Sequence, residues 1–177
     1  MSAPCDLCSL LDGFASQQGV GALLWRSDRL SVVAVDDPAY PGFCRVIWNR
    51  HVKEMTDLTP GERNYVMEVV WQVELAVREV MQPEKVNLAS FGNMTPHVHW
   101  HVIPRYLDDA NFPNPSWAVV QRATPPEVLA ARRALLPALH AAIIQRLTAS
   151  RIHHEHNDPP PPRHYRAQPG ARAGNYV

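Results

Sequence analysis

The sequence predicts an α+β domain, an antiparallel sheet with a long central helix and a C-terminal helix. Three observations lead there: short runs rich in β-branched and aromatic residues bounded by turn residues, two long stretches opened by Thr-Pro, and the order strands, helix, strands, helix. With 177 residues, one core is the expectation.

After the N-terminal Cys5-Asp6-Leu7-Cys8, Leu23-Leu24-Trp25 and Leu30 to Val35 read as strands of a hairpin turned at Ser27-Asp28-Arg29. Asp36-Asp37-Pro38 and Pro41-Gly42 punctuate a loop, and Cys44 to Trp48 supplies the next strand. Thr59, Pro60 and Glu62 form a capping box that opens a helix over 60–81. Its apolar stripe is Val66, Val69, Val70, Val73, Val77 and Val80. Strands near 86–91 and 98–103 follow, joined by Gly92-Asn93. Thr124-Pro125-Pro126-Glu127 repeats the capping pattern and predicts a second helix to about Thr148, kinked at Pro137. Residues 1–150 thus read as the domain. Residues 151–177, with Pro159 to Pro162 in a row and His153, His154 and His156, read as a mobile tail.

Lys plus Arg equals Asp plus Glu at 17 each, so no global field draws the chain to nucleic acid or an anionic membrane. Apolar stretches break well short of the ~20 residues of a membrane span, and no basic-then-apolar leader pattern opens the chain. A cytoplasmic location is the expectation. Three cysteines do not make a disulfide framework, and reduced thiols or a metal suit Cys5 and Cys8 better. Cys44, within a strand, reads as an inert core thiol.

The informative segment is Pro96-His97-Val98-His99-Trp100-His101-Val102-Ile103-Pro104-Arg105. On a strand, alternation puts His97, His99 and His101 on one face about 6.5–7 Å apart, with Val98, Trp100 and Val102 on the core face. Imidazole is both a nucleophile and a proton carrier near neutral pH. Three together can divide attack on phosphorus, assistance to the leaving group and control of the attacking tautomer. Purely structural or purely metal-ligating histidines are the competing readings.

The run His-Val-His-Trp-His-Val-Ile resembles the signature of the histidine-triad family, and the resemblance extends over about residues 5–120. Asn87 to Asn93, Pro96, Pro104-Arg105-Tyr106, Phe112-Pro113 and Trp117 look like a bacterial branch described as diadenosine-tetraphosphate-hydrolase-like. The resemblance implies His99 as nucleophile, His101 on the phosphate or leaving group, and His97 orienting the site. It implies ribose contacts from Asp36 or Asp37 and sugar or phosphate contacts from Asn87 and Asn93. Backbone N–H groups before the triad strand, and Arg105, are further candidates for phosphate charge.

Adenosine phosphoramidates or dinucleoside polyphosphates are the implied substrates, cleaved at the α-phosphate through a nucleotidyl-His99 intermediate. The alternative is a nucleotide-binding regulatory protein with negligible turnover, favoured by one departure: Gly42-Phe43 stands where many members have Gly-His. In zinc-binding members two histidines complete a Cys-x-x-Cys pair. Here they match His51 and His97, implying a Zn2+ site of Cys5, Cys8, His51 and His97. The family also commonly pairs through the central helix and a sheet edge, so a homodimer is expected, with Trp71 and Val77 as candidate contact surface.

Overall fold

The computed structural model describes residues 5–15 and 22–149; the expected tail at 151–177 lies outside them. In chain order the elements are α1 (Asp6–Ala15), β1 (Ala22–Arg26), β2 (Leu30–Ala34), β3 (Cys44–Trp48), α2 (Pro60–Met81), β4 (Lys85–Ala89), β5 (His99–Arg105), α3 (Pro126–Ala134) and α4 (Leu136–Ala149). The five strands form one antiparallel sheet in the order β1-β2-β3-β5-β4. The architecture is the expected α+β one.

One face of the sheet carries the main core. Leu30 and Val32 of β2, Val46 and Trp48 of β3 and Val102 of β5 pack against Val66, Val69, Val70, Val73 and Val77 of α2 and Leu139, Ile143 and Leu147 of α4. The Thr59 hydroxyl accepts from Glu62 N–H and the Glu62 carboxylate accepts from Thr59 N–H, closing the expected capping box. The helix stops where Gln82 turns left-handed at φ 45° just before Pro83. Val77 is fully buried on the sheet-facing stripe, so it offers no surface to a partner. Trp71, in contrast, is half exposed.

Among the described residues, the opposite face is covered only in part. Leu7 and Leu11 of α1 seal Val33 and Ile47, leaving the β3 and β5 residues beyond them facing a cavity. The stripe Leu7, Leu10, Leu11 and Phe14 has helical spacing, which explains an element that strand and motif reading passed over.

Two local expectations are corrected. Thr124 caps no helix: its hydroxyl donates to the Asp108 carbonyl, and α3 starts after Pro125 without a side-chain cap. The single kinked helix is instead two, α3 and α4, broken at Leu135, because Pro137 in the first turn of α4 has no N–H to continue the ladder of α3. No helix among the described residues is long and apolar enough to cross a membrane.

Candidate active site and metal centre

The triad segment is only partly strand. His97 N–H donates to Thr95 O in a tight turn about Pro96, and Val98 is tied to the end of β3 through Trp48 N–H and to the segment after it through Val52 O. Regular pleating therefore begins at His99. From there alternation holds, with His99 and His101 toward the cavity and Val102 in the core. The His97 ring is turned elsewhere, fully buried beside α1.

Carbonyl oxygens set the two buried tautomers. His97 Nε2–H donates to Trp48 O at 2.6 Å, leaving the lone pair on Nδ1. His99 Nδ1–H donates to His97 O at 2.6 Å, leaving the lone pair on Nε2. So His97 orients His99 through its backbone carbonyl, not its ring. The Ser90 hydroxyl donates to His99 O at 2.8 Å and holds the same residue from the β4 side.

Burial lowers the pKa of His97 and of His99 below the usual imidazole value, outweighing the carbonyl hydrogen bonds that raise each. His101 is pushed down to about 4 by burial, with smaller contributions from His99 and Arg45. Both cavity imidazoles are therefore neutral at pH 7. The His101 ring lies 5.0 Å from that of His99, and its buried Nε2 has no hydrogen-bond partner among the described residues. Phe43, the departure noted in the loop before β3, meets the His101 ring in a T-shaped contact with centroids 5.2 Å apart. Gly42 before it has φ +91°, and a Cβ there would meet Met81 and Pro104 at 3.1 and 3.3 Å, so this turn requires glycine.

The cavity measures about 700 Å³ and is lined by the two imidazoles, Asp37, Arg45, Asn93 and Trp117 among others. Of the candidate nucleotide contacts, Asp37 and Asn93 line it. The Asp37 carboxylate also accepts from the N–H groups of Ala39 and Tyr40, the work of an ordinary turn aspartate. Asp36 instead borders a smaller depression with Leu136 and His140.

Asn87 lies behind the site, its Oδ1 accepting from Arg105 Nη1 at 2.6 Å. Arg105 is no phosphate ligand: it is buried and its guanidinium is committed to Asp109, Asn87 and the Asn114 carbonyl. The cation that does line the cavity is Arg45 of β3, which the sequence does not single out within its strand. Only the β3–β5 register, pairing Arg45 with His101, brings it there.

On the α1 side, one ligand atom from each of Cys5, Cys8, His51 and His97 lies within 4.8 Å of the others. His97 Nδ1 is 3.4 Å from Cys5 Sγ and 3.6 Å from Cys8 Sγ, and His51 Nδ1 is 3.5 Å from Cys8 Sγ. Metal–sulfur and metal–nitrogen bonds of about 2.3 and 2.05 Å at tetrahedral angles give N···S edges of about 3.6 Å. The spacing fits. So does the chemistry of the donors: the lone pair of His97 Nδ1 faces the sulfurs while its other nitrogen is tied to a carbonyl, the usual outer support of a metal-bound imidazole. Burial, then the adjoining Cys5 sulfur, pushes the Cys8 thiol up to about 11, so two adjacent thiolates need a cation. Cys44 is a buried thiol pushed to about 12 by burial alone.

A five-stranded α+β domain with a tautomer-locked histidine at a cavity and a Cys2His2 cluster behind it defines the class of protein. Residues 20–108 match the HIT domain family model, and the chain belongs to that family. A bis(5'-nucleosyl)-tetraphosphatase (asymmetrical) of Schizosaccharomyces pombe is 32% identical over 102 residues, 54% of this chain and 56% of that protein. An AP-4-A phosphorylase of Mycobacterium tuberculosis is 32% identical over 81 residues, 42% of each chain. The chain thus spans about half the length of the curated relatives it matches. Among solved structures, a histidine triad protein of Bradyrhizobium japonicum superposes with TM-score 0.58 at 24% identity, covering 71% of this chain and 90% of that one. A zinc-bound histidine triad protein of Mycobacterium smegmatis has TM-score 0.55 at 20% identity, covering 82% and 96%.

Proposed function

We propose that this protein is a nucleotide hydrolase or nucleotidyl transferase that cleaves at the α-phosphate of an adenosine nucleotide. The observation that carries this reading is the His99 tautomer: Nδ1–H fixed on the His97 carbonyl, the Nε2 lone pair left for attack, and the ring kept neutral by burial. His99 Nε2 forms a bond to the α-phosphorus, the bond from phosphorus to the leaving group breaks, and the leaving group departs with the electron pair. Water or another acceptor then attacks the same phosphorus, breaks the N–P bond, and restores the imidazole. His101, through its unpartnered Nε2, hydrogen-bonds the phosphate or the leaving group. Asp37 and Asn93 contact the sugar or phosphate, and the backbone N–H groups of Gly92 to Thr95 face the developing charge. The names of the two curated relatives support tetraphosphate-bridged nucleotides as one substrate class.

Cys5, Cys8, His51 and His97 would hold a structural zinc, which when bound supplies charge to stabilise two thiolates and takes no part in bond making. The zinc-bound relative supports the same reading.

A second reading, a nucleotide-binding regulator with negligible turnover, is favoured by Phe43, which gives His101 an apolar neighbour in place of a hydrogen-bonding one. Turnover separates the two. His99→Ala should lower kcat by about 10³-fold or more with nucleotide affinity and fold retained, as expected for a covalent nucleophile. Equal turnover by the alanine variant contradicts the mechanism, and no turnover by the wild type supports the regulator.

A further inference from the structure

Among the described residues, Arg45 is a charged side chain without a hydrogen-bond or ion-pair partner. It points from β3 into the cavity, its Nε is buried, and it makes no hydrogen bond or ion pair among the described residues. Its guanidinium carbon lies over the Phe43 ring, 5.5 Å from the ring centre. Burial lowers its pKa, and Asp37 opposes this from a distance without reaching it. Arg45 is half-buried, and a guanidinium whose buried Nε–H is unmet is costly unless a ligand supplies the acceptor. Arg45 is the one Lys or Arg among the described residues lining this cavity.

The β3–β5 register sets its position relative to the chemistry. Arg45 lies directly across from His101 and Ile47 across from His99, so the cation sits on the His101 side of the nucleophile. Its charge is felt at both rings. Resting on the reading of His99 as nucleophile, we propose that Arg45 binds the phosphates beyond the reacting one. It thereby selects donors whose leaving group is a phosphate chain over donors whose leaving group is an amine.

The chemistry of departure supports the division. When the phosphorus–oxygen bond to a polyphosphate breaks, the electron pair leaves as an oxyanion that needs a cation rather than a proton, and a guanidinium can bind it through two parallel N–H groups. When a phosphorus–nitrogen bond breaks, the amine needs a proton, which an always-charged guanidinium does not supply. His101, neutral and flanked by Phe43, is a poor source as well. Phe43 has a positive part here: Arg45 lies over its ring, and the same ring makes a T-shaped contact with His101.

The test compares wild type, Arg45→Met and Arg45→Lys in three assays: kcat and KM with diadenosine tetraphosphate, the same with adenosine 5′-phosphoramidate, and calorimetric binding of inorganic tripolyphosphate. For Arg45→Met we expect kcat/KM for the tetraphosphate to fall about 10- to 100-fold, as for loss of a charge-assisted pair. The phosphoramidate value should stay within about threefold, with an unchanged melting temperature. Tripolyphosphate binding should be lost in the methionine variant and weakened but salt-sensitive in the lysine variant. Equal losses on both donors, or tripolyphosphate binding unaffected by either substitution, would overturn the proposal. If the wild type turns over neither donor, the enzyme reading fails and the tripolyphosphate arm alone decides whether Arg45 is a phosphate ligand. If Arg45→Met does not fold, the lysine variant decides: tripolyphosphate affinity equal to wild type overturns the assignment.

Discussion

Replacing Arg105 by methionine strands a carboxylate inside the protein. Arg105 and Asp109 are 3% and 1% exposed, joined by hydrogen bonds of 2.7 and 3.0 Å. The same guanidinium ties Asn87 on β4 and the Asn114 carbonyl, so it clamps the loop after β5 to the sheet edge. Removing one partner of a buried pair costs about 3–5 kcal/mol, because the remaining charge stays out of water. Here Asp109 keeps the N–H groups of Tyr106, Asn111 and Phe112, which places the loss toward the lower end. At about 2–4 °C per kcal/mol for a domain of this size, Arg105→Met should lower the melting temperature by roughly 6–15 °C.

The pH dependence has a definite sign. Burial alone would raise the Asp109 pKa, but Arg105 and the three N–H groups outweigh it and hold it below the ordinary carboxylate value. That stabilisation is present above the unfolded pKa of about 3.9 and is lost as pH falls through the lower folded value. Differential scanning calorimetry of wild type and variant from pH 7 to pH 3 measures both effects. The gap between the two proteins should narrow on acidification. A shift under about 2 °C at pH 7, or a gap that widens in acid, would show that the pair is not a structural clamp.

Three further outcomes are expected. Cys8→Ser should abolish a stoichiometric zinc and lower thermal stability, read by metal analysis of untagged protein and a melting curve; less than about a tenth of an equivalent in the wild type contradicts the centre. Because burial lowers the pKa of His99 and takes that of His101 to about 4, hydrolysis should persist on the acid side to below the ordinary imidazole value of about 6.5. A pH–rate profile whose acid limb breaks at 6.5 or above removes that role of burial. Of the expected pairing surface, Trp71 and Val77, only Trp71 is exposed, and pairing through α2 would use it together with Leu75, exposed four residues on. Trp71→Glu should then halve the mass seen by sedimentation equilibrium, while a monomeric wild type rules the pairing out.

Much of the fold was legible because local signals and tertiary demands coincide. The capping box at Thr59 and the valine stripe of α2 both survive into the structure, since the stripe is the face that covers the sheet. At Thr124 the same cap pattern misleads, because its hydroxyl finds the Asp108 carbonyl first. The alternation of the triad reads correctly from His99 onward and misplaces His97, whose ring is drawn to the cysteines once Pro96 turns the chain. Arg45 and Arg105 look interchangeable as strand arginines. Their fates are decided by what surrounds each in the fold: Arg45 faces an open cavity across from His101, whereas Arg105 is met by Asp109 from the loop that follows its strand. No local pattern carries that information.

The most direct measurement is intact-protein mass spectrometry of wild type and His99→Ala, quenched within milliseconds to seconds of mixing with diadenosine tetraphosphate. The mechanism predicts a wild-type adduct with the mass of one adenylyl group, acid-labile as a phosphorus–nitrogen bond should be, mapped by digestion to the peptide containing His99 and absent from the alanine variant. Measurable turnover by the wild type with no adduct at any time point, or an adduct of the same mass on the alanine variant, would contradict a nucleotidyl-His99 intermediate.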